Sequence, residues 1–399
     1  MIKGNCLISQ SGGPTAVINN TLYGIIKEAQ LADNIEHIYG ALYGIQGLLN
    51  NQYVKLHNLT KDQLEFLRKT PGAALGTWRY KVTEEDIRRI VLNMKKENIR
   101  YFFYIGGNGS MYVANLIHEE AKRCKYDLTV IGVPKSIDND LLHTDHSPGY
   151  GSAAKFLATS VLDIHMDARS MANSNRITLL ETMGRDAGWL AAACSLTTKV
   201  HPNFRTLIYI PEVEFSVERF LTKVQDVYKE DGYCISVISE GIRDQNNEII
   251  NKSTVQKDAV GRPQLGGVTP YLTQLIEDNT PLKARYVFPG IWQRSSMGIS
   301  SQVDVEEALE VGKQAFQQAL LGHSGTMTSI KRQDCIEYKT EYTSIPLAEV
   351  AGKERLVPVE WYDSENCQMK KPFETYALPL IQGEAYVEMN SGLPNYQYL

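Results

Sequence analysis

The sequence has no C-x-x-C pair: its six cysteines, Cys6, Cys124, Cys194, Cys234, Cys335 and Cys367, are scattered through 399 residues. A chain of that length needs no disulfide frame, so the thiols read as buried or free groups in a reducing compartment rather than as bridges or zinc ligands. No apolar run reaches the ~20 residues that a membrane-spanning helix needs. The opening MIKGNCLISQ lacks the apolar core and small-residue cleavage site of a signal peptide, so a cytoplasmic protein is expected. There is no basic surplus: 41 Lys and Arg stand against 46 Asp and Glu, a formal charge of −5. That excludes a general nucleic-acid binder. It leaves room for small phosphorylated ligands, which need only a few local cations. The eight histidines show no metal-ligand spacing, and G-x-S-x-G is absent, so serine hydrolysis has no support. Neither an internal repeat nor a low-complexity tract is present.

What remains is a soluble, folded composition, 43% hydrophobic and 22% charged, long enough for two α/β domains. Apolar strand runs at 5–10, 101–105 and 128–133 are each followed by a glycine- or proline-containing turn. Helical patterns follow at 15–30 and 111–123, and another lies at 83–97, where Ile87, Ile90, Val91 and Met94 recur at helical spacing. A second block repeats the pattern, with strands at 177–182, 206–210, 233–239 and 283–288 and helices at 151–169, 217–229, 266–278 and 304–319. Strand, turn and helix in this alternation predict parallel sheets covered by helices on both faces. The polar stretch 244–263 reads as an exposed excursion. After about residue 324 short β-like runs mix with Pro and Tyr and read as an extension that wraps the core.

Four turns carry chemistry. Ser11-Gly12-Gly13-Pro14 lies between a strand and a helix, where glycines let backbone N–H groups approach a phosphate; a plain tight turn is the alternative. Gly106-Gly107-Asn108-Gly109-Ser110 repeats that arrangement, and two such turns in one parallel sheet share its carboxyl edge, where ligands bind. Pro134-Lys135-Ser136-Ile137-Asp138-Asn139-Asp140 follows the next strand. Its paired carboxylates suit phosphoryl transfer, one taking a proton and the other orienting Mg²⁺, while Lys135 offsets the charge in transfer. An exposed acidic turn is the bland alternative. The run from Glu181 through Met183, Gly184 and Arg185 to Trp189 suits close approach to an anionic sugar phosphate, and Glu240 offers a carboxylate to sugar hydroxyls. Arg285 and Arg294 could clamp a phosphate, although a lone Arg is more often a solvated side chain.

Together these motifs resemble the phosphofructokinase family. The matches are SGGPTAVIN at 11–19, LGTWR at 75–79, GGNGS at 106–110, PKSIDND at 134–140 and TDHSPGYGSA at 144–153. ETMGRDAGWLAA at 181–192, SEGI at 239–242 and QRSS at 293–296 complete a series in the family's order over about residues 1–320. The resemblance implies an α/β fold of two doubly wound Rossmann-like domains with mainly parallel sheets and an active site in the cleft between them. It implies a donor domain at 1–140 with about 264–310, a sugar-phosphate domain at 141–263 with about 311–324, and a C-terminal extension at 325–399. The implied reaction is Mg²⁺-dependent transfer of a phosphoryl group to the C1 hydroxyl of fructose 6-phosphate, giving fructose 1,6-bisphosphate.

The same resemblance assigns roles. Asp138 takes the proton from the C1 hydroxyl, with Lys135 and Arg185 completing the catalytic set. Gly13, Arg79, Gly107, Asn108, Gly109 and Ser110 surround the donor, and Asn108 and Asp140 lie at Mg²⁺. Ser136, Ile137, Asp138, Arg176, Met183, Gly184, Arg185, Glu240, Arg285 and Arg294 hold the sugar phosphate. Some of the arginines reach from a neighbouring subunit of a homodimer or homotetramer. Many members have Asp where this chain has Asn108. That departure keeps open a catalytically weakened regulatory subunit. Gly109 leaves room for the α-phosphate of ATP where pyrophosphate users place Asp, whereas Lys135 is the residue of pyrophosphate users, although some ATP-dependent relatives share it. The reading leans to ATP, with pyrophosphate as the alternative. PGIW before QRSS, where many ATP enzymes have Gly-His, keeps a seven-carbon sugar phosphate open as acceptor. A kinase of NAD or of a lipid headgroup shares a similar glycine loop but lacks the SIDND and MGR motifs.

Overall fold

The computed structural model describes residues 2–171, 176–251, 257, 261 and 265–396. Of the expected excursion at 244–263, residues 252–256, 258–260 and 262–263 lie outside the described residues. Along the chain the main strands are β1 (Gly4–Gln10), β2 (Ile35–Ala41), β3 (Tyr53–Lys55), β4 (Ile99–Gly106), β5 (Thr129–Pro134), β6 (Ile177–Thr182), β7 (Thr206–Tyr209), β8 (Cys234–Ser239), β9 (Ala284–Val287), β10 (Thr326–Arg332) and β11 (Thr340–Pro346). They divide between two compact units. The first holds Met1–Ser152, Arg294–Arg355 and Gly383–Leu399; the second holds Ala153–Gln293 and Leu356–Gln382.

The first unit is built on a seven-stranded sheet in the order β11-β10-β5-β4-β1-β2-β3. Its five central strands are parallel, and β3 and β11 close the two edges antiparallel. The inner strands β1, β4 and β5 are buried on both faces, as cover by helices on either side requires. Alternation sorts them: Ile8, Phe103, Ile131 and Ile330 join Leu22 and Phe316 in one cluster. Leu7, Phe102, Val130 and Met327 join Ile90, Met111 and Ile117 in the other. On the first face the helix Ile18–Ala29 packs against the helix Gln302–Leu320. This second helix, partly expected in the sugar-phosphate domain, belongs to the first unit because Val311, Ala315, Phe316 and Ala319 bury there. The helix Glu84–Lys96 starts where a capping box allows: Thr83 Oγ accepts from Asp86 N, and the Asp86 carboxylate accepts from Thr83 N.

The second unit carries a parallel four-stranded sheet, β7-β8-β6-β9, with the helices Val217–Asp231 and Val268–Asn279. Glu181, fully buried at the end of β6, accepts from Gly267 N, Thr269 N and Thr269 Oγ, which ties down the start of the second of these helices. The tail does not form one extension. Its first part supplies β10 and β11 to the large sheet. Leu356–Gln382 packs in the second unit, where Trp361, Phe373 and Tyr376 surround the buried ring of Trp189. All six cysteines are unpaired, with Cys6, Cys194 and Cys234 buried. Among the described residues no helix is long and apolar enough to cross a membrane.

Candidate active site

Strands β1, β4 and β5 are neighbours and parallel, so the turns after them emerge together at the carboxyl edge of the sheet. The ladder carries on into those turns: Ser11 N donates to Ile105 O at 2.9 Å and Lys135 N to Gly106 O at 3.0 Å. Sequence-distant glycine and acidic turns are thereby held side by side. The helix after β4 runs Asn108–Arg123, beginning three residues earlier than its periodicity suggests, so Asn108, Gly109 and Ser110 form its first turn with Gly107 as N-cap.

Lys135 is the centre of the group in the first unit. Its side chain is buried, and Nζ donates to Gly13 O at 2.8 Å. Burial pulls the ammonium down to about 8; Asp138 and Asp140 hold it up, while Arg294 and Arg79 push it further down. Arg294 is itself lowered by burial and by Arg79 and supported by Asp138. A Cβ on Gly13 would lie 3.0 Å from an Arg294 guanidinium nitrogen. Lys135 and Arg294 thus lie against the Gly12-Gly13 turn, and Asp138, Asp140 and Arg79 are near enough to Lys135 to act on its charge. Arg294, expected only at the acceptor's phosphate, belongs to this group.

The acidic turn is braced by its own polar side chains. Ser136 Oγ donates to Asp140 Oδ1 at 2.7 Å and accepts from Asp138 N at 3.2 Å. Asn139 adopts a φ of 56° and accepts from Ser147 N at 3.0 Å, while Ile137 packs inward. Asp138 and Asp140 are hard oxygen donors on one braced turn, the kind of set that holds Mg²⁺ jointly with substrate phosphates. Asn108 is different. Its Nδ2 donates to Lys353 O at 2.5 Å and its Oδ1 accepts from Gly352 N at 2.7 Å, so the carboxamide expected at the metal is engaged at both ends. Among the described residues no group of three or more His, Cys, Asp or Glu side chains is placed to hold a metal ion unaided. Open space surrounds Gly109: a Cβ there would meet nothing within 4 Å. Arg79 is exposed between Trp78 and Tyr80, whose rings stack 5.2 Å apart.

The second unit repeats the logic. β6 and β8 are parallel neighbours, and Glu240 N donates to Thr182 O at 2.9 Å just beyond their ends. Met183 N donates to Gln293 Oε1 at 3.0 Å, and Ser239 Oγ donates to Gly184 O at 2.6 Å. Gly184 N approaches Glu240 Oε1 at 3.4 Å. Burial raises the Glu240 carboxyl to about 7 against that N–H, with Glu181 adding to the rise and Arg185 opposing it. A Cβ on Gly241 would sit 1.8 Å from Arg185 O, so only glycine lets these two turns touch. Met183, Gly184, Arg185 and Glu240 are therefore brought together. Arg176 and Arg285 are not with them. Arg176 precedes β6 and Met183 follows it, so roughly 20 Å of extended strand separates the two. Arg285 pairs with Thr178 near that same amino end and lies 3.7 Å from Asp167.

Sequence reasoning missed two participants. Gln293, buried at 1% exposure, fixes the Met183 backbone; it opens the QRSS match but carries no charge to draw notice. The Gly352–Arg355 segment lies against the turns after β4 and β5, with Arg355 N donating to Asp140 O at 2.8 Å and Glu354 bridging to Leu141. Its sequence, GKER after a one-turn helix, has no motif that could have marked it.

The phosphofructokinase family profile matches residues 5–319. A pyrophosphate--fructose 6-phosphate 1-phosphotransferase of Methylococcus capsulatus is 37% identical over 99% of this chain and 96% of its own. A sulfofructose kinase of Alkalicoccus urumqiensis is 38% identical over 88% of this chain and 90% of its own. The crystal structure of a pyrophosphate-dependent phosphofructokinase from Nitrosospira multiformis superposes with a TM-score of 0.91 at 33% identity, covering 99% of this chain and 96% of that one.

Proposed function

We propose that this chain, which belongs to the phosphofructokinase family, uses inorganic pyrophosphate as donor and fructose 6-phosphate as acceptor. It is a phosphotransferase with an alcohol acceptor; the donor is what the residues must decide. The observation that carries the pyrophosphate reading is Lys135, buried, 2.8 Å from Gly13 O and influenced by Arg79 and Arg294. A compact cluster of cations suits a compact, highly charged donor. Gly109, which favours ATP in the sequence, is a position where a side chain would meet nothing within 4 Å. It removes an obstacle to a nucleotide and contributes no contact to one, so its weight is small. Near-full-length similarity to relatives named for pyrophosphate supports the same side.

In this reading Asp138 takes the proton of the acceptor's C1 hydroxyl as the oxygen attacks the near phosphorus of the donor. Lys135 and Arg294 stabilise the charge spread over the transferring group and the departing phosphate. Asp140 would hold Mg²⁺ jointly with the donor's oxygens, and the ion would supply further charge neutralisation there. Met183, Gly184, Arg185 and Glu240 orient the sugar phosphate. Arg176 and Arg285, at the other end of their sheet, would serve the acceptor of a neighbouring subunit in a homo-oligomer.

The test is kcat/KM for pyrophosphate and for ATP with fructose 6-phosphate and Mg²⁺. A pyrophosphate preference of about tenfold or more, the ratio given by 1.4 kcal/mol of differential binding, is expected. A preference for ATP would overturn the donor assignment. The 38% identical relative named a sulfofructose kinase makes a sulfonated fructose the second acceptor reading; supplying it in the same assay decides between the two.

A further inference from the structure

Asn108, assigned to the donor in the sequence, engages the protein itself at both ends of its carboxamide. Its partners, Gly352 N and Lys353 O, belong to a segment some 240 residues away in the chain. That segment is anchored on both sides. Before it, Leu347 and Val350 are completely buried in the core cluster that also holds Met111 and Ala114 of the Asn108–Arg123 helix. After it, Arg355 N donates to Asp140 O, and Glu354 forms a bridge with Leu141. Gly352–Arg355 is therefore a strap running from the glycine turn after β4 to the end of the acidic turn after β5. The strap carries Lys353, an exposed residue with no ion pair among the described residues, although its own backbone is pinned to Asn108.

We infer that Asn108 is a positioning residue that seats this strap on the donor loops, and that the strap's Lys353 is a further cation for the donor's phosphate oxygens. The inference rests on the phosphoryl-donor reading of these loops. The chemistry at position 108 supports it. Gly352 N offers a donor and Lys353 O an acceptor, so their partner must accept and donate at once, and a carboxamide does both. A carboxylate would keep the Gly352 bond but would set a negative charge against the Lys353 carbonyl. An alanine would lose both bonds. The strap thus accounts for asparagine at this position without calling on its oxygen at a metal. Pinning the Lys353 backbone also removes part of the chain entropy that a flexible loop cation would lose on engaging a phosphate.

The experiment has two arms. In the first, amide hydrogen exchange is followed for residues 350–356 of the full chain without substrates, in wild type, N108A and N108D. Faster exchange at Gly352 and Arg355 in N108A, with a smaller rise in N108D, is expected. Unchanged exchange in N108A overturns the clasp whatever donor the enzyme uses. In the second arm, pyrophosphate and ATP are each titrated with N108A, K353A and the double variant, at several Mg²⁺ concentrations. The KM of whichever donor is used should rise about three- to tenfold in each single variant, more than kcat falls. The double variant should be no worse than K353A alone, because Asn108 acts through the strap. The Mg²⁺ dependence should stay that of wild type. Additive losses, or tighter Mg²⁺ activation in N108D with the strap still protected, would overturn the inference.

Discussion

At the residue scale the proposed donor assignment turns on Lys135. The PKSIDND run marks the lysine as present near two carboxylates; the structure shows it buried and bonded to Gly13 O, with burial pulling its ammonium down to about 8 and Asp138 and Asp140 resisting. Free enzyme therefore loses this charge as pH rises through about 8, and donor kcat/KM, which reports groups of the free enzyme, should fall over the same range. Lys135→Met should lower donor kcat/KM by about 10²–10³ and flatten the profile above pH 8. A Met variant that keeps the wild-type alkaline decline would assign that decline to another group. In the sequence Gly109 counts for ATP because it removes an obstacle to the nucleotide, while Lys135 is compatible with either donor. Burial and an open surround are what separate them.

At the scale of elements, the first unit depends on a crossing that spans most of the chain. Where the Ile18–Ala29 and Gln302–Leu320 helices meet, a Cβ on Gly24 would stand 2.3 Å from Leu309 O, and one on Gly312 2.2 Å from Thr21 O. Backbone meets backbone here, so neither helix can give way locally. Gly24→Val should destabilise the protein by about 1–3 kcal/mol or more through overpacking, read as a lower urea midpoint. Stability equal to wild type would mean that the helices separate freely. The alternation of strand and helix was legible because β1, β4, β5, β6 and β8 are buried on both faces and read as apolar runs. β2 and the short β3 were not anticipated: β2 interleaves Glu36 and His37 with apolar residues, and β3 has three residues. The destinations of the tail were equally illegible, since its short runs gain their meaning from the edge they meet.

For the whole molecule the notable charge is not the net −5 but a buried cluster. His146, 1% exposed, lies 2.9 Å from Asp145 and 2.6 Å from Glu307; Arg332 pairs with Asp145 at 3.0 Å, and Tyr338 donates to Glu307 at 2.7 Å. Burial alone would lower the imidazolium, but Glu307 and Asp145 overcome it and raise His146 to about 9 from 6.5. The folded state thus binds the proton more tightly than the unfolded chain. The stabilisation is complete below pH 6.5 and is lost as pH rises through 9, a change on the order of 3 kcal/mol. Thermal unfolding followed from pH 6 to 9.5 should show a falling Tm in wild type and a flatter curve in His146→Gln. Parallel curves would remove His146 as the cause. This cluster ties the chain just after the acidic turn to the Gln302–Leu320 helix and to β10.

The sequence by itself determined the α/β class, the parallel sheets, the family and the glycine and acidic turns at the sheet edges. Those features depend on local periodicity and on glycines and charged residues at fixed spacing. Tertiary structure alone decided which charges are buried, which turns touch and what each side chain is already bonded to. It set Lys135 against Gly13, took Arg294 to that same turn, and separated Arg176 and Arg285 from Met183 by the length of a strand. It also bonded Asn108 to a strap some 240 residues away. Burial and hydrogen bonding between distant residues are properties of the packed chain, and no local spacing encodes them.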